Sequence, residues 1–368
     1  MLLPLLKAPS SLCLLRLSAI GDVTHILPII RTLQHYWPET KITWIVGRLE
    51  HQLIEDIEGV EFIVFDKTLG LKAYKILWSQ LRGRQFDVFL HMQVSLRSNI
   101  ASLCVHAPLK LGFDKSRAKD FQWLFSNARI KAIDCQHVLD GFFEFLKTLG
   151  LNERKLVWDI PIPLKDQRWA ENLMNGQRVL IINPSSSQRL NNWRSWGADN
   201  YAALIAYAIE KYDLRVMLTG GPADNERVLA QDILSCPVLI NNRDSLSQID
   251  NLVGKTSLKQ LAALMHKSLA VVAPDTGPGH IANALGKPII GLYVTSNPKR
   301  TGPYIANEAL TDLTVNYYQQ ALLKYEKCIE ADVPWGKRVR NADALDLITI
   351  DSVKAKLDQL FGEESKYP

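Results

Sequence analysis

Cysteine is scarce in this sequence of 368 residues, and its five copies are scattered. None belongs to a Cys-x-x-Cys pair or has a histidine at the spacing that metal ligands need. The sequence therefore offers neither a disulfide framework nor a zinc site. We expect free, buried thiols, as in proteins of a reducing compartment, at Cys13, Cys104, Cys135, Cys236 and Cys328.

A long hydrophobic run is also missing at the start of the chain. The segment MLLPLLKAPSSLCLLRL is apolar, but Lys7, Arg16, two prolines and a serine pair interrupt it. It stops well short of the ~18 apolar residues that a membrane-spanning helix needs. We interpret it as a short tail that leads into a strand.

The surplus of positive charge is small. There are 43 Lys and Arg against 38 Asp and Glu, a formal net charge of +5. This balance is too mild to indicate a nucleic-acid partner, and we predict none. It is compatible with an anionic substrate or an acidic membrane surface.

The sequence contains two rounds of alternating apolar runs and helical stretches. Apolar residues make up 47% and charged residues 22%, which is typical of a globular protein. The first round includes the runs 12–17, 42–46 and 87–91. After a polar, proline-containing segment at 158–167, the pattern restarts with 178–184. The alternation predicts α/β architecture with mostly parallel sheets covered by helices.

The restart also predicts the domain organisation. We expect an N-terminal domain at 1–165, a second domain at 166–345, and a C-terminal helix and tail at 346–368. These lengths fit domains of about 100–200 residues.

The motif RLSAIGDVTHILP (16–28) places an acidic residue where a strand gives way to a helix. Asp22 is expected at the carboxyl end of the first strand, and in open α/β sheets this edge faces the ligand. A carboxylate there can accept the proton of an attacking hydroxyl as a general base. The alternative is that Asp22 only caps a helix that begins at Asp22 or Val23.

The motif APDTGPGHIANALGKP (273–288) joins a buried strand to a helix through a glycine-rich turn. Glycines let the backbone approach a ligand closely, and a helix start offers N–H groups and a positive dipole end to a diphosphate. The alternative is an ordinary tight turn with Asp275 or Thr276 as its cap. Because so many polar and small residues are concentrated in one turn, we favour binding.

The segment 182–204 contains a hydroxyl-rich loop after another strand. Ser185, Ser186 and Arg194 are suited to contact phosphate, since a guanidinium offers a fork of donors to phosphate oxygens. Under the alternative, Arg194 is a solvated surface charge and the aromatic residues are packing residues, namely Trp193, Trp196 and Tyr201. A further glycine turn, LTGGPADNE (218–226), is weak by itself.

Basic residues are concentrated at 107–131, which contains six Lys and Arg against two Asp, an excess of four. Together with Arg97 they could form a patch for an anionic acceptor, and we select Arg97, Arg117 and Lys119 for that role. The alternative for each residue is an ordinary solvated face.

Taken together, these segments resemble the ADP-heptose:lipopolysaccharide heptosyltransferases of glycosyltransferase family 9, and more closely their heptosyltransferase I branch. The resemblance runs from about Leu14 to Tyr304. It is carried by RLSAIGDVTHILPIIRTL, LHMQVSLRSNIAS, LGFDKSRAKDFQWLFSNARI, LTGGPADNE, VAPDTGPGHIANALGKP and TSNPKRTGP.

The resemblance implies an α/β fold of the GT-B class, with two Rossmann-like domains facing each other across a cleft. It implies an inverting transfer of heptose from ADP-heptose, held by the second domain, to the Kdo region of the lipopolysaccharide inner core, presented to the first domain as Kdo-lipid A. No metal or other cofactor is implied. The implied location is cytoplasmic, at the inner face of the inner membrane and in peripheral contact with it.

The resemblance also implies residue roles. Asp22 matches the catalytic base, and Arg194 falls where the family has a basic residue facing the donor phosphates. The implied donor-binding residues are Ser185, Ser186, Thr219, Gly220, Glu226, Asp275, Thr276, Gly277, Pro278, Gly279 and His280. The implied acceptor-binding residues are Arg97, Arg117 and Lys119. The chain departs from the family in its Ser185–Ser187 run, where glycine or alanine is usual, and in SRAKDFQ, which replaces a commoner Arg-Glu pair.

Other functions stay open on the sequence alone. A glycosyltransferase of the same fold could use another nucleotide sugar, and a protein of two such domains could bind ADP-sugars without catalysis. A nicotinamide-dependent dehydrogenase is disfavoured, because no Gly-x-Gly-x-x-Gly follows the first strand of either half. The sequence contains no Asp-x-Asp, which counts against a metal-dependent GT-A enzyme.

Overall fold

The structure, a computed structural model, describes residues 3–184, 196–241, 246–305 and 312–362. The chain divides into two compact units, Met1–Pro161 and Ile162–Pro368. Each unit has its own six-stranded sheet. The division lies just before the predicted boundary after residue 165, and the segment predicted separately at 346–368 is part of the second unit.

The first unit is built on a sheet with the strand order β3-β2-β1-β4-β5-β6, and every pairing in it is parallel. Its strands are β1 (Ser11–Leu15), β2 (Lys41–Gly47), β3 (Val60–Phe65), β4 (Val88–His91), β5 (Leu109–Gly112) and β6 (Ala128–Arg129). Its helices are α1 (Ile20–Tyr36), α2 (Arg48–Ile54), α3 (Leu71–Leu81), α4 (Leu96–Ser102) and α5 (Val138–Leu149).

The apolar sequence of β1 explains its central position in this sheet. Residues Leu12, Cys13, Leu14 and Leu15 are fully buried, as expected for a parallel strand that is covered by helices on both faces. The chain continues from β1 to β2 on one side and returns to its other side as β4. The carboxyl ends of β1 and β4 therefore mark the point where the strand order reverses, which is where open α/β sheets bind ligands.

The second unit repeats this topology with the strand order β12-β11-β10-β7-β8-β9, again all parallel. Its strands are β7 (Val179–Ile182), β8 (Arg215–Leu218), β9 (Ile249–Asn251), β10 (Ala270–Pro274), β11 (Ile289–Tyr293) and β12 (Val315–Asn316). Its helices are α6 (Leu164–Met174), α7 (Ala198–Tyr212), α8 (Asp224–Leu234), α9 (Pro237–Ile240), α10 (Leu258–Lys267), α11 (Gly277–Ala284), α12 (Pro298–Thr301), α13 (Tyr318–Ala321) and α14 (Ile350–Phe361).

The last helix, α14, packs against α7 within the second unit. Its residue Leu357 is fully buried in the core of that unit. Asp358 Oδ1 accepts hydrogen bonds from the hydroxyls of Tyr207 at 2.7 Å and Tyr212 at 2.5 Å, and from Lys211 Nζ at 3.0 Å. The periodicity of the sequence predicts this helix but does not identify its partner.

Two further expectations are tested by the fold. The five cysteines are free, but only Cys13 and Cys236 are buried, so the expectation of burial is wrong for the partly exposed Cys104 and Cys328 and for the exposed Cys135. Within the described ranges, no helix combines the length and apolar character that crossing a bilayer requires.

Candidate functional site

Asp22 lies in the first turn of α1, directly after the carboxyl end of β1. The helix begins at Ile20, so Asp22 is its third residue and not its cap, contrary to the predicted helix start. Its Oδ2 accepts a hydrogen bond from the backbone N–H of Ala19 at 3.3 Å and forms an ion pair with Arg16. The Asp22 side chain is 31% exposed, so solvent and ligands reach one side of the carboxylate.

The partner of Asp22, Arg16, is fixed by several contacts. Its Nη1 donates a hydrogen bond to the carbonyl of Met92 at 2.6 Å, and its guanidinium lies 5.2 Å from the ring centroid of Phe142. The Arg16 side chain is only 11% exposed. This arrangement holds a positive charge beside the carboxylate. Sequence reasoning treated Arg16 only as an interruption of the N-terminal apolar segment and missed this role.

Two glutamines connect the loops at the carboxyl ends of three strands: Gln93 links the loops after β1 and β4, and Gln122 links the loop after β5 to the end of β4. Gln93 Oε1 accepts a hydrogen bond from Leu17 N at 2.6 Å, and its Nε2 donates to Ser18 Oγ at 3.2 Å. Gln122, which is fully buried, donates to the carbonyls of His91 at 2.8 Å and Gln93 at 3.0 Å. The backbone around Asp22 is therefore bound to the next strand. Neither glutamine was predicted.

The three predicted acceptor residues lie on α4 and in the loop after β5. Arg97 and Lys119 are exposed. Their segments are joined by Asp120, whose Oδ2 accepts a hydrogen bond from Leu96 N at 2.9 Å and whose carbonyl accepts one from Asn99 Nδ2 at 2.6 Å. The structure thus brings these two segments together.

Arg117 is engaged within its own loop. Its guanidinium forms an ion pair with Asp114 and donates to the carbonyl of Lys131 at 2.9 Å and to Gln136 Oε1 at 3.3 Å. These contacts fix the conformation of the loop after β5. A role in gripping the acceptor stays a prediction for Arg117, as it does for Arg97 and Lys119.

In the second unit, the turn after β10 contains a buried carboxylate and a buried hydroxyl. Asp275 Oδ2 accepts a hydrogen bond from Ser296 Oγ at 2.6 Å, and Asp275 Oδ1 lies 3.8 Å from His280 Nε2. Thr276 precedes α11 but makes no side-chain cap bond. Its Oγ1 is buried, and no hydrogen-bond partner is found for it among the described residues. Thr276 is thus the N-cap residue of α11 by position, as in the capping alternative, but its hydroxyl does not cap the helix and has an unused capacity for hydrogen bonding.

The first turn of α11 is Gly277-Pro278-Gly279, and the first N–H groups of a helix have no acceptor within that helix. A Cβ built on Gly279 would meet Pro274 O only at 3.7 Å and Ala273 Cβ at 3.8 Å, which are ordinary contacts. The packing of the protein therefore does not require glycine at residue 279. A helix start without side-chain cover is suited to bind a phosphate or another anion.

The turn after β8 is fixed by Glu226. The carboxylate of Glu226 accepts a hydrogen bond from Gly221 N at 2.7 Å, and a Cβ on Gly220 would lie 2.9 Å from Glu226 Oε2. Beside this turn, the buried Asn183 donates from Nδ2 to the carbonyl of Thr219 at 2.9 Å. Its Oδ1 is buried without a partner among the described residues. Asn183 follows β7 at the reversal point of the second sheet, and sequence reasoning missed it.

The predicted loop residues Ser185, Ser186 and Arg194 lie outside the described residues. The packing alternative is confirmed for the two described aromatic residues of that segment. Trp196 and Tyr201 are fully buried with ring centroids 5.2 Å apart, and Trp196 Nε1 donates to the carbonyl of Ile348 at 2.9 Å.

The chain is similar in sequence to heptosyltransferases. The sequence model of glycosyltransferase family 9 (heptosyltransferase) matches residues 75–331. The lipopolysaccharide core heptosyltransferase OpsX of Haemophilus influenzae is 36% identical over 355 residues, which cover 96% of this chain and 98% of that protein. Lipopolysaccharide heptosyltransferase 1 of Escherichia coli K12 is 23% identical, covering 84% of this chain and 97% of its own length.

The chain is also similar in fold to solved structures. The glycosyl transferase family 9 protein from Veillonella parvula superposes with a TM-score of 0.73 at 20% identity, covering 96% of this chain and 98% of that one. E. coli heptosyltransferase WaaC with ADP gives a TM-score of 0.68 at 20% identity, with coverages of 95% and 97%. The predicted GT-B type of fold, an α/β protein of two Rossmann-like units, is confirmed.

Proposed function

Because this chain belongs to glycosyltransferase family 9, we propose that it transfers a heptose from ADP-heptose to the Kdo region of the lipopolysaccharide inner core. The observation that carries the proposal is Asp22, a partly exposed carboxylate at the strand-order reversal of the first sheet. The similarity to a core heptosyltransferase over nearly the whole chain supports the choice of substrates.

In the proposed reaction, Asp22 accepts the proton of an acceptor hydroxyl while the hydroxyl oxygen attacks the anomeric carbon of the heptose. The new glycosidic bond forms on the face opposite ADP as the bond from the anomeric carbon to the diphosphate oxygen breaks. The configuration at that carbon inverts, and ADP leaves with the electron pair of the broken bond. One carboxylate is sufficient for this single displacement.

We assign the donor to the second unit. The first-turn amides of α11 and the Thr276 hydroxyl offer hydrogen bonds to the diphosphate, with Asp275 and His280 beside them. Donors aimed at the departing diphosphate stabilise the charge that develops in the transition state. The proposed share of Arg194, Ser185 and Ser186 in this role rests on the family resemblance alone.

The acceptor and its location complete the proposal. We place Kdo-lipid A at the first unit, near Arg97, Arg117 and Lys119, as in the heptosyltransferase I branch. The protein would then act in the cytoplasm, in peripheral contact with the inner face of the inner membrane.

A transfer assay with two acceptors tests these assignments. The purified protein is incubated with ADP-heptose and either Kdo-lipid A or the same acceptor already carrying one heptose, and ADP release and product mass are measured. We expect ADP release and a product one heptose heavier with Kdo-lipid A. Transfer only to the heptosylated acceptor would exclude the heptosyltransferase I assignment.

Two control reactions address the competing functions. ADP-glucose replaces ADP-heptose in one of them, and equal transfer from both donors would contradict heptose specificity. Binding of ADP-heptose is measured by calorimetry in the absence of acceptor. Tight binding combined with no transfer to either acceptor would identify a non-catalytic ADP-sugar-binding protein.

A further inference from the structure

The first unit has an exposed apolar surface formed by one helix and one loop. Two exposed side chains on α4 and one on the residue that follows it lie at helical spacing, and in the loop after β5 three more lie within four residues. Each of the six is at least 40% exposed. We call them the apolar surface, and they are Leu96, Ile100, Leu103, Phe121, Trp123 and Leu124.

Hydrogen bonds hold the two halves of the apolar surface side by side. Asp120, which precedes Phe121, accepts a hydrogen bond from Leu96 N through its carboxylate and one from Asn99 Nδ2 through its carbonyl. The rings of Phe121 and Trp123 lie edge to face with their centroids 6.3 Å apart. The two halves of the apolar surface therefore meet at the start of α4. The six side chains form one contiguous surface held by hydrogen bonds and are not isolated exposed residues. Contiguous exposed apolar patches mark sites of interaction with proteins or membranes.

The segment that contains the apolar surface has a strong excess of positive charge. Residues 96–131 contain seven Lys and Arg and two Asp, a net charge of 7 − 2 = +5. The remainder of the chain has 43 − 7 = 36 basic and 38 − 2 = 36 acidic residues and is neutral. The entire formal surplus of the protein therefore lies in the segment that presents the apolar surface. Of the two acidic residues, Asp114 is paired with Arg117, and Asp120 accepts the Leu96 N–H bond.

We propose that the apolar surface docks onto an anionic lipid bilayer, with Phe121, Trp123 and Leu124 entering the interface and the surrounding basic side chains contacting lipid phosphates. Tryptophan favours this boundary because its ring is apolar and its N–H is polar, and phenylalanine and leucine supply apolar area that enters the interface. Lys and Arg near an anionic leaflet add attraction that a neutral surface does not supply. The use of this docking, bringing the site to a lipid acceptor, rests on the proposed function.

The apolar contribution is tested by vesicle sedimentation with matched tryptophan variants. The full-length protein is mixed with vesicles of phosphatidylglycerol and phosphatidylethanolamine, or of phosphatidylcholine alone. We expect binding to the anionic vesicles, and at least a fivefold weaker partition for Trp123→Ser and for Leu124→Ser. The control is Trp78→Ser on α3, which removes a tryptophan that is 51% exposed but lies outside the apolar surface.

The electrostatic contribution is tested with a second matched pair. Lys115 and Arg129 are exposed within the basic segment, and Lys72 and Lys75 are exposed on α3. We expect Lys115→Ala/Arg129→Ala to weaken binding to anionic vesicles about tenfold or more, because each basic residue near the surface is worth about a factor of five. Lys72→Ala/Lys75→Ala should bind like the unmodified protein. Equal loss in both pairs, or no loss in either, contradicts the proposal.

The activity readout separates this inference from the proposed function. Transfer is measured to a water-soluble, deacylated Kdo acceptor and to Kdo-lipid A embedded in anionic vesicles. We expect Trp123→Ser to keep its rate on the soluble acceptor and to lose most of it on the embedded one. Vesicle binding with no transfer to either acceptor would overturn the proposed function and leave the docking surface intact. Binding to vesicles that is indifferent to Trp123, Leu124 and the basic pair would overturn the docking surface, as would specific capture of a protein instead of lipid.

Discussion

The guanidinium of Arg16 reaches from the end of β1 to three neighbours: the Asp22 carboxylate, the carbonyl of Met92 and the ring of Phe142. These contacts fix the position of Asp22 before any ligand binds, and an oriented base needs less rearrangement in the transition state. The proposed base is therefore held in one position by the fold.

Replacing Asp22 by Asn tests the base assignment. We expect turnover to fall by ~10²–10⁴, because an amide cannot take up the proton while the residue keeps nearly the same shape. Affinity for ADP should stay unchanged, since Asp22 belongs to the first unit and the proposed donor site to the second. The measurements are steady-state ADP release and calorimetric titration with ADP. A variant that turns over at a near-normal rate would remove Asp22 from the mechanism.

At the scale of single residues, the sequence predicts which side chains are candidates for the site better than it predicts their side-chain contacts. Asp22 and the turn at Asp275–His280 stand out because few structural roles need such residues together. The Arg16–Asp22 pair and the contacts of Gln93 and Gln122 could not be predicted, because they depend on how neighbouring strands bring distant loops together. Arg117 was chosen for its charge, and the sequence did not predict that its guanidinium contacts Asp114 and two other acceptors; its acceptor role stays a prediction.

At the scale of elements, the start of α11 lacks a side-chain cap bond. This feature predicts how substitution of Gly279 changes stability and ADP affinity. Gly279→Ala adds a methyl group that meets only ordinary contacts, so thermal stability should be kept. The Cβ of a helical residue points toward the N-terminus of the helix, where the added methyl group would crowd a bound diphosphate. We expect the affinity for ADP to fall about tenfold, measured by calorimetry.

Gly220→Ala is the matched comparison, because it should weaken ADP binding through a loss of stability and not through direct contact with the ligand. Its methyl group would lie 2.9 Å from Glu226 Oε2 and 3.3 Å from Val253, so the Glu226 carboxylate, which accepts a hydrogen bond from Gly221 N, must move. We expect lower thermal stability and, as a consequence, weaker ADP binding. If both variants lose stability equally, the proposed openness of the α11 start is wrong.

The docking of α14 predicts a pH dependence of stability. Burial alone would raise the pKa of Asp358, but hydrogen bonds from Tyr212, Tyr207 and Lys211 outweigh it and lower that pKa. A carboxyl group with a lowered pKa stabilises the folded state above its unfolded pKa of about 3.9, and this contribution is lost as the pH falls through the folded value. Asp358→Asn should cost about 1 kcal/mol or less at pH 7, since the side chain is 40% exposed.

Urea unfolding of both proteins at a series of pH values measures this contribution. The difference in unfolding free energy between the unmodified protein and Asp358→Asn should be present at pH 7 and shrink below pH 4. A difference that stays constant down to pH 3 would show that the ionisation of Asp358 contributes nothing to the docking of α14.

The elements themselves were largely predictable, and the misplaced start of α1 has a physical explanation. Runs of buried apolar residues identify β1, β4, β7 and β10, because parallel strands covered on both faces have no polar side to obscure the pattern. The sequence places the start of α1 too late, because Ala19 before it offers no side-chain cap and the first acidic residue appears only at Asp22.

At the scale of the whole molecule, two sheets of the same topology with separate cores predict two unfolding events. Leu357→Ala empties a fully buried position in the second unit and should lower one calorimetric transition, at a cost of about 2–5 kcal/mol. ADP at about a hundredfold excess over its dissociation constant should stabilise that same transition by about 2.7 kcal/mol. Leu15→Ala, in the core of the first unit, should lower the other transition. If ADP instead stabilised the transition that only Leu15→Ala lowers, the donor site would lie in the first unit and the proposed assignment would be wrong.

The uneven distribution of charge along the chain has a kinetic consequence. All of the surplus positive charge lies in residues 96–131, and the remainder of the chain is neutral. The protein therefore has an uneven charge distribution that the electric field of a charged surface can orient. Near a negatively charged surface the protein would become oriented before contact, so that most encounters begin with residues 96–131 facing that surface. Raising the ionic strength would then slow the arrival of the enzyme at its target while leaving the rate of the bond-making step untouched.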